Sequence, residues 1–281
     1  LQSKPLKFTF LVHDYFAISP SYCLLDSKNS YWLDQSFQNL DKAHNIIDEH
    51  GLNVTAVDWR NRWYGLLKKS DSIVCFSNSS ASIMQSAFPN LKTSIAIKPH
   101  VVPKIRAIRR ITPHSSPSLG VLGNIGPQKG ARCVQLLSRK IPTSSFKKIT
   151  VVGHVDPNYS LASSVVETGC YERLEISALA EKNQIVAWLI PSIWPETFSF
   201  TIHEALATKL PVFCFDLGGQ KEAAQSAENG YVMPLDWAQK PEVIFKYISK
   251  VIDNDKVGRS IHSKTEISRD RGTASWAKSI G

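Results

Sequence analysis

The sequence has no run of about 18 apolar residues, so it offers no candidate membrane-spanning helix. It does not open on a signal-peptide pattern, and its first residue is Leu1 rather than Met. We therefore expect a processed chain or a piece of a longer polypeptide. Its five cysteines include no Cys-x-x-Cys pair, which argues against a disulfide framework or a structural zinc site. Most of them lie in apolar strings, which predicts buried thiols and a reducing, cytoplasmic compartment.

The composition is that of an ordinary globular protein. Apolar residues make up 43% of the 281 positions and charged residues 20%, which excludes a wholly disordered, collagen-like or coiled-coil chain. This length favours about two domains. The net charge is +9, and five basic residues between positions 98 and 110 have no acidic residue among them. Such a cluster could bind nucleic acid, an anionic membrane or a phosphorylated substrate, or simply be a solvated linker. No zinc finger or RNA-binding signature supports nucleic acid.

Two α/β regions are separated by a turn-rich joint. The predicted strands are residues 8–12, 72–76, 92–97, 119–122, 148–152, 185–190 and 211–215. The predicted helices are residues 77–87, 131–139, 174–180 and 201–208, and residues 32–69 have helical periodicity with a break near Gly51. Three prolines make residues 103–117 the predicted linker, and residues 217–219 are predicted to be a loop. The alternation of strands and helices predicts parallel, doubly wound sheets, which bind ligands at the carboxyl ends of their strands.

The most informative stretch is residues 195–206, where Glu196 and Glu204 stand eight positions apart. Thr201 and Glu204 match a capping box, which predicts a helix that begins near Thr201. The first amides of that helix could face a phosphate. One carboxylate could then accept hydrogen bonds from a sugar and the other from a ribose, with a diphosphate between them. The alternative is that Glu204 only closes the cap and Glu196 is a solvated loop acid.

Residues 195–206, followed by residues 211–219, resemble the donor-site signature of glycosyltransferase family 4. That signature is Glu-x7-Glu, then Ala-Leu, a turn of small residues, a proline, a strand and a Gly-Gly loop. The resemblance extends upstream to the loop of residues 123–130 and downstream to residues 229–232. It implies a retaining, group 1 type enzyme of the GT-B fold, an α/β fold of two Rossmann-like, doubly wound domains that face a cleft.

The resemblance also implies roles for individual residues. Glu196 would contact the hydroxyls of the transferred sugar, and Glu204 would contact the ribose. Lys129 would neutralise the departing diphosphate together with the helix N-terminus, so that no metal ion or other cofactor is needed. The remaining donor-binding positions are Gly123, Asn124, Gly126, Phe198, Ser199, Thr201, Gly169 and Tyr171. Asn124 stands where the family commonly has an arginine, which weakens the expected positive clamp.

His13 and Asp14 follow the first predicted strand, where a cleft should open, and we predict catalytic roles for them beside Glu196. Residues 1–105 would form a partial, acceptor-side domain, because they lack the glycine-rich first loop and several βα units of the family. Residues 116–281 would form the nucleotide-sugar-binding domain, with the last helix packing back on the first domain. The N-terminal domain is thus expected to be incomplete.

The resulting hypothesis is an enzyme that moves a sugar from a nucleotide-diphosphate sugar to a glycan or lipid-linked acceptor. An anionic membrane is a possible peripheral partner, and nucleic acid is not expected. A second hypothesis, motivated by Asn124 and the short first domain, is a non-catalytic GT-B-like nucleotide-binding or assembly module. A third is another GT-B chemistry, such as sugar-nucleotide epimerisation or phosphorolysis.

Overall fold

The computed structural model describes residues 7–31, 37, 42–108 and 116–254. The strands are β1 (Thr9–Leu11), β2 (Ile46–Ile47), β3 (Asn53–Val54), β4 (Ser72–Cys75), β5 (Ile95–Ile97), β6 (Ser118–Leu122), β7 (Lys148–Val152), β8 (Val165–Glu167), β9 (Ile185–Ile190), β10 (Val212–Phe215) and β11 (Gly230–Met233). The helices are α1 (Ala56–Leu67), α2 (Asn78–Ala87), α3 (Ala131–Ser138), α4 (Ile176–Lys182), α5 (Phe200–Ala207), α6 (Gly218–Gln225) and α7 (residues 241–254). They form two parallel α/β units, which confirms the predicted fold class.

The first unit is a three-stranded parallel sheet in the order β1-β4-β5. Helix α2 follows β4 because the serine cluster caps it: Ser77 accepts from the Ser80 amide, and the Ser80 side chain accepts from Ser77. The helical pattern predicted for residues 32–69 is wrong between residues 42 and 55, where the chain forms a 3-10 turn and the antiparallel pair β2–β3. Asp48 causes this, because its carboxylate accepts from the amides of His50 and Leu52 and closes a hairpin turn. Residues 32–36 and 38–41 lie outside the described residues.

The second unit is a six-stranded parallel sheet in the order β11-β10-β9-β6-β7-β8. The chain begins at the central strand β6, moves outward through β7 and β8, and then returns to β9 on the other side of β6. The order of strands therefore reverses between β6 and β9. In sheets of this kind the connections leave in opposite directions at that point and open a crevice at the carboxyl ends of the strands.

The centre of the second sheet is tightly packed around Trp188 on β9, which is fully buried. Gly120 on β6 is its register partner, and a Cβ atom at Gly120 would overlap the indole ring. The indole N–H donates to the hydroxyl of Thr208 at 3.1 Å, so the ring carries no orphaned polar group. Cys75, Cys133 and Cys214 are buried, whereas Cys170 is exposed.

The joint between the units is fastened to the second unit. The amide of Ile108 donates to the carbonyl of Thr208 at 2.9 Å, and Arg106 binds both carboxylate oxygens of Glu181. One charge of the predicted basic cluster is thus already paired, while residues 109–115 lie outside the described residues.

Helix α7 packs on the six-stranded sheet. Residues 255–281 lie outside the described residues, so the return of a last helix to the first unit stays a prediction. Strands β8 and β11 were not predicted. Residues 218–219 start α6 instead of forming a loop. No helix in the described part of the chain has the length and apolarity to cross a membrane.

Candidate active site between the two sheets

The two units meet at the carboxyl ends of their strands. Thr197, in the loop after β9, donates its hydroxyl hydrogen to the carbonyl of His13, directly after β1, at 2.9 Å. Trp194 in the same loop packs edge-on against Tyr15 and Tyr22 of the first unit, with ring centroids 6.3 and 6.1 Å away. The residues that the sequence places after β1 and after β9 therefore share one cleft.

Glu196 is fixed in this cleft by four neighbours. Its side chain is almost fully buried and pairs with Lys129, Nζ to Oε2, at 2.9 Å. The hydroxyl of Ser192 donates to the other carboxylate oxygen. The backbone of Glu196 is held by α6, because its N–H donates to the Gln220 side chain at 3.1 Å and its carbonyl accepts from the Gly219 amide at 2.7 Å. The Lys129 side chain is 28% exposed, so its ammonium can still meet an anion from the cleft.

The loop of residues 123–130 lies between β6 and α3. Its turn is closed by the Gly126 carbonyl, which accepts from the amides of Lys129 and Ala131 at 3.0 and 3.1 Å. Gly130 has a φ of +85°, and a Cβ atom there would overlap the backbone carbonyl of Pro191, in the loop after β9. A Cβ atom on Gly123 would lie 3.1 Å from Thr201. The loop is therefore in close contact with the segments on either side of Glu196.

Helix α5 begins at Phe200, one residue earlier than predicted, and the predicted capping box is wrong. Ser199 is the N-cap residue in a left-handed conformation (φ 67°, ψ 83°), and no side chain caps the helix. The carboxylate of Glu204 forms an ion pair with Arg173 instead. Because Thr201 lies against Gly123, the uncapped N-terminus of α5 is close to the loop that carries Lys129.

Glu204 is the second buried carboxylate, 3% exposed, and Arg173 binds it at 3.0 Å. Burial raises the pKa of Glu204, and the Arg173 guanidinium partly opposes that rise. Burial, together with the Glu204 charge, raises the pKa of Tyr171 to about 12, which places the phenol beside this pair. Gly169 precedes Tyr171 with a φ of +81°.

The raised pKa of Glu204 predicts a pH-dependent stability. A carboxyl whose folded pKa is raised stabilises the fold fully below its ordinary value of 4.5 and loses that contribution as the pH rises through the folded value. We therefore expect Glu204→Gln to gain stability relative to the wild type as the pH rises from about 4 to 7, measured by urea unfolding. Glu181→Gln is the control with the opposite sign, because Arg106 lowers the pKa of Glu181. A parallel trend for both variants would contradict this assignment.

The other predicted residues are spread around this centre. The ring of Phe198 stacks on His203 of α5, with centroids 4.2 Å apart, and meets the ring of His100, after β5, edge-on at 5.2 Å. His13 is exposed, with its ring 5.0 Å from Phe76. Asp14 accepts from the Phe16 amide at 2.9 Å, a local turn contact. The side chain of Asn124 is exposed at the loop surface.

Sequence reasoning missed the groups that hold the two carboxylates, namely Ser192, Gln220 and Arg173. None of them stands in a motif, and Arg173 is 31 positions away from its partner, so only the fold brings them together. In the described ranges no group of three or more His, Cys, Asp or Glu side chains is arranged to hold a metal ion.

Residues 168–266 match the model of a protein family described as glycosyl transferases group 1. This segment contains both carboxylates, Arg173 and α6, whereas Lys129 lies before it. No curated protein sequence matches the chain.

Solved structures share the fold over most of the chain. TarM aligns with a TM-score of 0.60 and 12% identity over 94% of this chain and 47% of its own. HepE of Anabaena, solved in complex with UDP-glucose, aligns with a TM-score of 0.57 and 15% identity over 89% of this chain and 64% of its own. Sucrose-phosphate synthase from Thermosynechococcus elongatus aligns with a TM-score of 0.56 and 15% identity over 94% and 70%. The chain spans about half the length of TarM and of the GtfA/B complex chain (47% and 46%). These neighbours are GT-B glycosyltransferases, and the chain has the GT-B fold.

Proposed function

We propose that this protein transfers a sugar from a nucleotide-diphosphate sugar to a hydroxyl of a glycan or lipid-linked acceptor, with retention of configuration and without a metal ion. The observation that carries the proposal is the buried Glu196–Lys129 pair at the point where the strand order reverses, next to the uncapped N-terminus of α5. The match of residues 168–266 to group 1 glycosyltransferases supports the same reaction class.

The geometry suggests how the donor binds. The diphosphate takes the Lys129 ammonium and the first amides of α5, which together supply a fixed positive field where negative charge develops. Once the Lys129 ammonium pairs with the diphosphate, one carboxylate oxygen of Glu196 is free to accept hydrogen bonds from sugar hydroxyls. The hydroxyl of Ser192 keeps the other oxygen in place. Glu204 binds the ribose hydroxyls from the far end of the same helix turn. In this proposal the first unit covers the sugar and excludes water from the activated donor, and the contact between Thr197 and His13 supports that arrangement.

The proposal is tested by incubating the full chain with a panel of sugar nucleotides and candidate glycan and lipid-linked acceptors. UDP-glucose is the first donor, since the HepE neighbour was solved with it. We expect release of the nucleotide that depends on the acceptor, and a product with the donor's anomeric configuration. Tight nucleotide binding without any release would favour the non-catalytic module that Asn124 suggests. A rearranged sugar nucleotide or a sugar phosphate as product would indicate epimerisation or phosphorolysis instead.

Glu204→Ala should weaken the binding of a nucleoside diphosphate about 10- to 100-fold, because a hydrogen bond to a charged group contributes about 1.5–3 kcal/mol. Isothermal titration calorimetry measures this. The control is Glu181→Ala, which removes another arginine-paired glutamate from the same unit at an exposed position. Equal affinity of wild type and Glu204→Ala would refute a ribose contact.

A further inference from the structure

A carboxylate of the second unit caps a helix of the first. Glu222, on α6, accepts from the backbone N–H of Asn78 at 3.0 Å, from the Asn78 side-chain amide at 3.1 Å, and from the backbone N–H of Ser79. The two partners are more than 140 positions apart in the sequence. Sequence analysis assigned no role to Glu222, and the donor site described above does not use it.

The cap of α2 is otherwise complete, which makes the contribution of Glu222 specific. The capping box of Ser77 and Ser80 satisfies the third amide of the helix and the N-cap amide. The capping box does not bind the amides of Asn78 and Ser79, and Glu222 accepts a hydrogen bond from each of them. A negative charge at a helix N-terminus is stabilised by the helix dipole as well as by the hydrogen bonds.

The units also touch through an apolar cluster at this place. Phe198 of the second unit packs with Val74 and Phe76 of the first, and a cavity of about 500 Å³ lies beside them, lined in part by Asn78 and Glu222. Apolar contact is non-directional, whereas hydrogen bonds require a defined geometry. The polar contact of Glu222 with α2 therefore restricts how the two surfaces are oriented.

Helix α6 also reaches the proposed reaction centre. The Gly219 amide and the Gln220 side chain, three and two residues before Glu222, hold the backbone of Glu196. On the other side, α2 follows β4, which pairs with β1, and His13 lies two residues after β1. Glu222 thus joins the helix that positions Glu196 to the unit that carries His13.

We propose that Glu222 is a positioning residue, which fixes the first unit over the sugar subsite by capping α2 across the cleft. Its kinetic consequence rests on the proposed transferase function, but its structural consequence does not. Removal of the carboxylate leaves water to solvate the Asn78 and Ser79 amides, so α2 itself persists. The orientation of the units then depends on the remaining contacts, such as that of Thr197 with His13, and is less restricted. Donor binding remains, because Lys129, Glu196 and Glu204 all belong to the second unit.

The test compares the wild type with Glu222→Ala and Glu222→Gln in the full chain. Spin labels at the exposed positions Asn90 and Lys147, with Cys23 and Cys170 replaced by serine, report the distance between the units by pulsed electron resonance. We expect a broader, longer distance distribution for Glu222→Ala and a partial return for Glu222→Gln. The matched control is Lys221→Ala, since that neighbour on α6 pairs with Asp216 of its own unit.

In kinetic terms we expect Glu222→Ala to lower kcat about tenfold or more, because small misplacements of reacting groups have large effects on rate. The dissociation constant of a nucleoside diphosphate should stay within about twofold of the wild type. An unchanged distance distribution would overturn the proposal, and so would a loss of nucleotide affinity that parallels the loss of kcat. If the wild type transfers no sugar, the proposed function fails, and the distance measurement alone still decides whether Glu222 holds the units together.

Discussion

We expect the replacement of Glu196 by glutamine to lower kcat/KM for the proposed sugar transfer about a hundredfold. The amide is isosteric and still accepts from Ser192, so the fold is kept, but it has no charge with which to bind sugar hydroxyls or to hold Lys129 when the donor is absent. Loss of about 2.7 kcal/mol of transition-state stabilisation corresponds to this factor, which is in the range of one or two charge-assisted hydrogen bonds. Steady-state kinetics with the donor that the panel of sugar nucleotides identifies measures it.

The control for this variant is Glu228→Gln, an acid-to-amide change at an exposed position of the same unit. We expect Glu228→Gln to match the wild type, and Glu196→Gln to keep a melting temperature within a few degrees of it. A kcat/KM for Glu196→Gln within threefold of the wild-type value would show that Glu196 takes no part in the reaction.

The largest effect on stability is expected for Trp188→Ala, which should cost about 3–5 kcal/mol in the free energy of unfolding. The indole is fully buried on one face of the six-stranded sheet, and its loss leaves a cavity over β6 and β9, the two strands whose following loops carry Lys129 and Glu196. Chemical denaturation of the isolated chain measures the difference. A cost below about 1.5 kcal/mol would mean that the sheet collapses around the gap.

A related prediction concerns Gly120, the register partner of Trp188. Gly120→Ala alone should destabilise by about 1–3 kcal/mol, because the new methyl group overlaps the Trp188 ring and a methyl group of Ile185. Combined with Trp188→Leu, the same change should cost less than the sum of the two single variants. Strict additivity would show that the two positions do not share the same space.

The fold was predictable where the local pattern and the global arrangement agree. Strand β9 is a continuous run of buried apolar residues bounded by a turn and a proline, and α2 carries its own capping serines. The helix predicted over residues 42–55 is wrong because the prediction gave the helical periodicity of apolar positions more weight than the turn-forming residues Asp48 and Gly51. The chain forms the turn that these two residues favour.

The candidate residues could be named from the sequence, whereas their contacts could not. Glu196, Glu204 and Lys129 stood out through the family-like string, and the structure brings Lys129 to 2.9 Å from Glu196. The predicted capping box is absent because the buried carboxylate of Glu204 pairs with Arg173 instead of a backbone amide of its own helix. Whether these side chains bind donor and acceptor in the predicted roles stays a prediction for the experiments above.

The backbone contact between Gly130 and Pro191 has a consequence for homologues of this chain. Two connections that touch main chain to main chain cannot change length independently, since an inserted residue in either would separate the ammonium from the carboxylate. We expect natural insertions and deletions to be tolerated in the solvent-facing stretch between β7 and β8. They should be absent from the eight positions that start at Gly123 and from the short span between β9 and Glu196. In an alignment of diverged sequences, these two segments should contain no gaps, whereas gaps should occur elsewhere in the domain.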